Sequence, residues 1–219
     1  MAKRPVFIPN ENKPPFVIEK EIEFEWIPGQ ALSQVQKCIQ SFHAALQKEG
    51  IEPVLEISSK SPSPLGVRLS AFNLKLKPLG NLEMSVESAF QGSKVFEGGG
   101  PFQDLYLAPS KVAKKDPRLS SNGKLIGFRF LEEDFPAEPL TAFYDWLYLN
   151  ALYKNQSLAR ELLNYKGFTD IAFNPKKSLN CQARSAALYV ALYKNKEIEK
   201  VIQDKDYYLK LISNQAEIQ

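Results

Sequence analysis

The chain has 219 residues, of which 44% are hydrophobic and 24% charged, the profile of a soluble globular protein long enough to bury one good core. Lysine and arginine number 28 against 25 acids, a net charge of +3. That permits contact with nucleic acid but lacks the dense basic surface of a DNA-coating protein. No segment approaches the roughly 20 apolar residues of a membrane span, and the proline-broken start "MAKRPVFIPNENKPPF" has no signal-peptide run; the expectation is a cytoplasmic protein with no membrane contact.

In chain order, residues 1–28 read as extended and proline-rich, and the alternation in "EIEFEW" suits an edge strand. Residues 31–48 read as an amphipathic helix, with Leu32, Val35, Ile39, Phe42 and Leu46 at three- and four-residue steps and Gly50 as its stop. "PVLEIS" (53–58) reads as a strand and "SKSPSPLG" (59–66) as a loop. "VRLSAFNLKLK" (67–77) alternates like a strand, and "LEMSV" returns after "PLGN", predicting a hairpin over 67–86. A helix over 86–97 is ended by the glycines at 98–100.

"APSKVAKKD" follows as a short helix and "KLIGFRFL" as a strand. Helices are predicted at 137–154 and 156–165, then a loop at 168–178 that delivers the helix in "LNCQARSAALYVALYKN", and two shorter helices close the chain. The expected architecture is α+β: a single compact, helix-rich domain over 1–219 with a small antiparallel sheet, comprising an extended N-terminal segment (1–30) and a core over about 51–212.

The absences narrow the chemistry. Cys38 and Cys181 lie far apart without metal-ligand spacing and read as reduced, buried thiols. His43, the one histidine, sits beside Phe42 on a helix and reads as a structural group, so no metal site is expected. There is no P-loop, Gly-x-Gly-x-x-Gly fingerprint or Gly-x-Ser-x-Gly elbow, and no cofactor is expected. Any catalysis must come from carboxylates, lysines, amides and hydroxyls.

One stretch gathers such groups. In "VESAFQGSKVF" (86–96) each helical residue turns about 100°, so relative to Glu87 the side chain of Gln91 stands at about 40° and that of Lys94 at about −20°. The three form one narrow stripe on a helix otherwise rich in apolar groups. The stripe is either a solvated salt-bridge face or a polar lining; pattern alone balances the two. In a desolvated setting, a lysine beside a carboxylate can serve as acid, base or amine nucleophile.

The same stretch resembles the signature helix of the NADAR (YbiA-like) family, of the form E-H-x-F-Q-x-x-K. Here it reads "ESAFQGSK", with Ser88 in place of the histidine. Upstream, "LSAFN" is similar to the family's Phe-Ser-Asn-Phe segment: Ser70 and Phe72 match, and Asn73 stands near the displaced asparagine. Downstream, "FTDIAFNPKKSLNCQARSAAL" stands where the family has a Trp-Gly-Asp loop and a Lys-Asn-x-Leu-Gly helix start, matching at Asp170 and Asn180 without the glycine-rich loop. The general resemblance covers about 67–192. Longer phrases, among them "AFQGSKVFEGGGPFQDLY" and "TAFYDWLYLNAL", resemble the NADAR antitoxins paired with DarT-type DNA ADP-ribosyltransferase toxins.

The resemblance implies an N-glycosidase that removes ADP-ribose from the amino group of guanine in DNA. Its substrate would be ADP-ribosylated DNA and its product ADP-ribose, and it would undo the work of a partner DarT-type toxin. It implies catalytic roles for Lys94, Glu87 and Asp170, and ADP-ribose contacts from Ser70, Phe72, Asn73, Gln91 and Asn180; Arg68 and Arg184 are candidates for the diphosphate by their charge, Arg184 because it stands inside an apolar helix. Lys60, Lys176 and Lys177 are further candidates for the diphosphate. Phe72, Phe102, Tyr144 and Trp146 are aromatic candidates for stacking on a base, although the helical spacing of "FYDWLY" favours a core role for Trp146. Two other readings stand beside this one: an N-glycosidase of phosphoribosylamine metabolites, and a non-enzymatic antitoxin that blocks the toxin by binding it.

Overall fold

A computed structural model describes residues 1–11, 14–78, 82–174 and 181–216. Its first elements are β1 (Ala2–Pro9), β2 (Val17–Phe24), α1 (Leu32–Lys48), β3 (Val54–Glu56), α2 (Pro64–Leu69), β4 (Lys75–Leu76), β5 (Met84–Ser85), α3 (Val86–Gly92) and β6 (Lys94–Phe96). After a 3-10 turn at Gln103–Tyr106 come α4 (Ser110–Ala113), α5 (Arg118–Ser121), β7 (Leu125–Phe130), β8 (Glu133–Pro136), α6 (Ala142–Lys154), α7 (Gln156–Leu162), β9 (Gly167–Thr169), α8 (Gln182–Lys194), α9 (Ile198–Gln203) and α10 (Lys205–Ala216). The class is α+β, with small, mostly antiparallel sheets. The chain falls into two compact units, one formed by 1–70 with 155–219 and the other by 71–154.

The first unit is built on a sheet of order β2-β1-β9-β3. β1 and β2 pair antiparallel from Ala2↔Phe24 to Pro9↔Val17, leaving β2 at the edge as its alternation indicated. Along β2, Ile22 and Phe24 are buried while Glu19, Glu21 and Glu23 are exposed; charge on an edge strand discourages pairing with other chains. α1 lays Cys38, Ile39, Phe42 and Leu46 against Val6, Ile22, Phe24 and Ile171. It stops where Gly50 takes φ +74°, a left-handed conformation that glycine adopts without penalty. α8 is buried almost all round, from Ala183 to Leu192, so it forms a central helix and not a surface one.

Three sequence expectations change here. The segment predicted as a strand from residue 67 begins as α2, entered through Pro64 at its first turn and buried through Leu65, Gly66 and Leu69. Leu65 and Leu69 are four apart, a helical spacing that the alternation downstream disguised. Among the described residues only Lys75–Leu76 and Met84–Ser85 pair, so the expected hairpin is shorter than the 67–86 read from the sequence. The loop predicted from 168 opens inside β9, which pairs parallel with β3 through Leu55↔Phe168 and antiparallel with β1 through Phe7↔Phe168. A three-residue central strand carries too short a pattern to be read from sequence.

In the second unit α3 ends at Gly92, not at 97. A Cβ on Gly92 would lie 2.6 Å from the Tyr106 ring, so only glycine allows that approach. Ser93 then turns the chain, its hydroxyl donating to the Ala89 carbonyl at 2.7 Å. The chain continues as β6, paired with β7 through Lys94↔Phe128, and β7 pairs in turn with β8. Phe90, Phe128, Phe130, Phe135 and Phe143 form an aromatic core, with the Phe128 and Phe143 rings stacked at 4.7 Å. Trp146 packs on Phe135 at 4.9 Å and Tyr144 edge-on to Phe90 at 5.2 Å, the core roles their spacing favoured.

Phe42 is fully buried and its ring lies 4.7 Å from that of Phe24. Replacing it by alanine should lower the unfolding free energy by about 3–5 kcal/mol, measured by urea titration. A loss below about 1 kcal/mol would mean that the α1–sheet interface does not hold the first unit together.

Candidate functional site

α3 begins on β5 with each early backbone N–H satisfied. Val86 and Glu87 donate to the carbonyls of Leu74 and Ala71, both at 3.0 Å, and Ser88 donates to Ser85 Oγ at 3.0 Å. Ser85 is therefore a side-chain N-cap. Its hydroxyl also meets Ser88 Oγ at 2.8 Å and Ser110 Oγ at 2.7 Å. Ser88 donates to the Ala108 carbonyl and Ser110 to the Phe72 carbonyl, each at 2.9 Å. This buried hydroxyl network joins the start of α3, the start of α4 and the turn carrying Phe72. Ser88, at the position where the family signature has histidine, therefore helps hold the framework of the site.

Every residue of α3 is buried, Glu87 at 5% and Gln91 at 6% exposure. The solvated-face reading of the polar stripe is thereby excluded. Gln91 Nε2 donates to Glu87 Oε1 at 2.9 Å, and Gln91 Oε1 is buried without a hydrogen-bond partner among the described residues. Such an acceptor is costly to leave unmatched. Lys94 lies on β6 and not on α3, so the angle that placed it came from the wrong element. It reaches the cluster nevertheless: its ammonium stands 4.8 Å from the centroid of the Phe90 ring. Burial pushes its pKa below the usual lysine value, Glu87 pulls it back up, and Lys114 adds to the lowering.

Lys114, just past the end of α4, was not singled out from the sequence. Its ammonium lies 3.8 Å from Glu87 Oε1 and 5.2 Å from the centroid of the Phe72 ring. The lysine run in "KVAKKD" was a visible signal, but nothing in it showed which lysine would reach a buried carboxylate 27 residues upstream. Phe72 is half-buried and Asn73 exposed in this same unit. Phe102, half-buried, lies beneath the Arg118 guanidinium at 4.6 Å, and Arg118 is itself held by Asp104 and Asp116.

The remaining candidates belong to the first unit. Asp170 follows β9; its Oδ1 accepts from the Ala172 N–H at 3.1 Å and its Oδ2 from Gln182 Nε2 at 3.0 Å. Arg184 is half-buried on α8, with an electrostatic partner in Glu19. Arg68 is exposed on α2, 4.0 Å from Glu161 Oε1. Ser70 is buried and donates to the Val67 carbonyl at 2.9 Å. Lys60 is exposed. Asn180, Lys176 and Lys177 lie outside the described residues.

Sequence reasoning also missed Glu56, a lone acid between Leu55 and Ile57 and only 1% exposed. An acid in an apolar strand was the available signal. Its carboxylate accepts from Thr169 Oγ1 at 2.7 Å and from the Ile171 N–H at 2.9 Å, gripping both sides of Asp170. His43 Nε2 meets Thr169 Oγ1 at 2.9 Å, the structural role expected of it. Burial first, and then the charge of Asp170, raise the Glu56 pKa from 4.5 to about 7, against the opposing bonds from Ile171, Thr169 and Ser58. Burial also keeps His43 neutral, its pKa lowered to about 4.

These shifts carry opposite signs in stability. Folded Glu56 holds its proton where an unfolded glutamate releases it, so its contribution is full below about pH 4.5 and lost as pH rises toward 7. His43 acts the other way: its contribution is full above its ordinary 6.5 and lost as pH falls toward 4. Urea titrations of wild type and Glu56→Gln across pH 5–8 should therefore show the variant gaining relative stability as pH rises. A constant difference would mean that Glu56 ionises alike in both states. At the other site, Ser85→Ala should lose about 1–2 kcal/mol of stability, visible in thermal unfolding.

No helix among the described residues is long and apolar enough to cross a membrane. No curated protein matches the chain. A profile of the DarT1-associated NADAR antitoxin family, by contrast, matches residues 2–219, almost the whole chain and every segment on which the sequence resemblance rested. The protein belongs to the DarT1-associated NADAR antitoxin family.

Proposed function

We propose that the chain is an antitoxin that works as an enzyme, hydrolysing the bond between ADP-ribose and the amino group of guanine in DNA and so reversing the modification made by its DarT-type toxin. The observation that supports this reading best is the pair of buried side chains Glu87 and Gln91, the latter with an unmatched amide oxygen, with the half-buried Lys94 following on β6. Cleaving an N-glycoside needs proton transfer at the departing nitrogen and stabilisation of the sugar carbon, roles open to a carboxylate with an amine whose pKa it influences.

In the proposed reaction, proton transfer involving Glu87 opens the ribose ring to an iminium between C1 and the guanine nitrogen. The neutral amine of Lys94 adds to C1. The guanine amino group leaves with a proton delivered through Glu87, and a lysine iminium remains. Water then adds to C1, the lysine departs, and free ADP-ribose closes its ring. Burial of Lys94 favours the neutral amine this route requires. Gln91 Oε1 would accept from a ribose hydroxyl, and the Phe72 ring would stack on a base. If the substrate is duplex DNA, the modified nucleotide must leave the stack.

Lys94→Ala and Glu87→Ala should each slow release of ADP-ribose from modified guanine DNA at least about 100-fold, followed by chromatography of the product. Cyanoborohydride during turnover should leave ADP-ribose covalently on Lys94, detected by peptide mass spectrometry. Full activity without an adduct would make Lys94 a cationic clamp instead. Toxin neutralisation by the Glu87→Ala protein at wild-type level would replace the enzymatic reading with a binding one, and turnover of a free phosphoribosylamine but not DNA would move the substrate to a metabolite. Asp170→Asn tests separately the role that the resemblance gives Asp170.

A further inference from the structure

Glu87 has one lysine, Lys114, beside it and bears on a second, Lys94, through its charge. The start of α4 is pinned by Ser110 to Ser85 and to the Phe72 carbonyl, and Lys114 follows one turn later. Its ammonium takes a position 3.8 Å from Glu87 Oε1, the oxygen that already accepts from Gln91. The Glu87 side chain is 7% exposed and that of Lys114 57%, so solvent reaches the lysine while the carboxylate is enclosed.

We propose that Lys114 is a positioning residue acting through Glu87: it engages the carboxylate from the α4 side and leaves the Lys94 amine free to serve as the reacting group. The proposal deepens the reaction above and rests on that reading for its consequence in turnover. The charge of Glu87 favours a proton on the Lys94 amine, and the positive charge that Lys114 sets against Glu87 Oε1 opposes it. The two influences oppose each other, beneath the larger effect of burial, so removing the Lys114 charge leaves Glu87 less opposed.

Other groups near β6 are otherwise engaged. Arg129, next along β7 from the Lys94 partner Phe128, is held by Asp134 at 2.6 Å. The Tyr106 hydroxyl bonds to Ser93 and to the Arg129 carbonyl. Because Lys114 is largely exposed, solvent screens its charge, and its influence is smaller than that of burial.

The test reads Lys94 itself. Reductive methylation of the full chain by formaldehyde and cyanoborohydride, across pH 6–10 and quantified on the Lys94 peptide, reports the amine's titration midpoint. Lys114→Met should raise that midpoint by about half a unit, slowing modification below it roughly threefold. Lys114→Arg, which keeps the charge, should restore the wild-type curve. An unmoved midpoint in Lys114→Met, or an arginine variant that behaves like methionine, would overturn the proposal. The readout needs no substrate. If Lys94 titrates as expected and modified DNA is not hydrolysed, the proposed reaction fails while this inference stands; if DNA is hydrolysed and the midpoint is unmoved, only this inference fails.

Discussion

The burial of Glu87 is the constraint to which the rest of the second unit answers. A carboxylate at 5% exposure must be matched by donors or opposite charge, because the loss of its hydration costs several kcal/mol. Its position in the first turn of α3 supplies part of the answer, since the helix N-terminus carries partial positive charge. Gln91, one turn on, supplies a hydrogen bond, and Lys114 approaches from α4. The surrounding elements are arranged to deliver these groups: a serine network fixes α4 against α3, and the aromatic core behind Phe90 leaves α3 no freedom to turn its polar groups outward.

The same logic operates in the first unit around Glu56. There the partners among the described residues are the hydroxyls of Thr169 and Ser58 and a backbone N–H, none of them a cation, so burial prevails and the acid holds its proton to about neutral pH. Two buried glutamates in one chain thus meet different chemistry. Glu87 has Lys114 beside it and accepts from an amide whose own oxygen is unmatched. Glu56 braces β9 and the residue that precedes Ile171, an arrangement suited to holding the backbone around Asp170.

Much of this was legible in the amino-acid order. The amphipathic α1 with its Gly50 stop, the charged edge strand and the later helices follow from periodicities long enough to read. Short elements were not: α2 and β9 hold six and three residues, too few for a periodic signal, and β9 exists because β1 and β3 flank it. At the site, Glu87 and Gln91 were correctly placed on one helical face because both lie within α3. Lys94 was assigned to that face by extending the helix past Gly92, where contact with Tyr106 admits no side chain and the chain turns into a strand.

What the sequence by itself determined is the family, the α+β class and the identity of the polar trio, since these reside in residue types at fixed local spacing. Whether that trio faced water or was enclosed could not be decided there, because burial depends on what packs against α3 from distant parts of the chain. The tertiary structure alone enclosed Glu87 and Gln91, placed Lys94 half-buried on β6 and set Lys114 against Glu87. The reason is physical: the state of a buried charge is set by neighbours through space, and sequence separation says little about which neighbours those are.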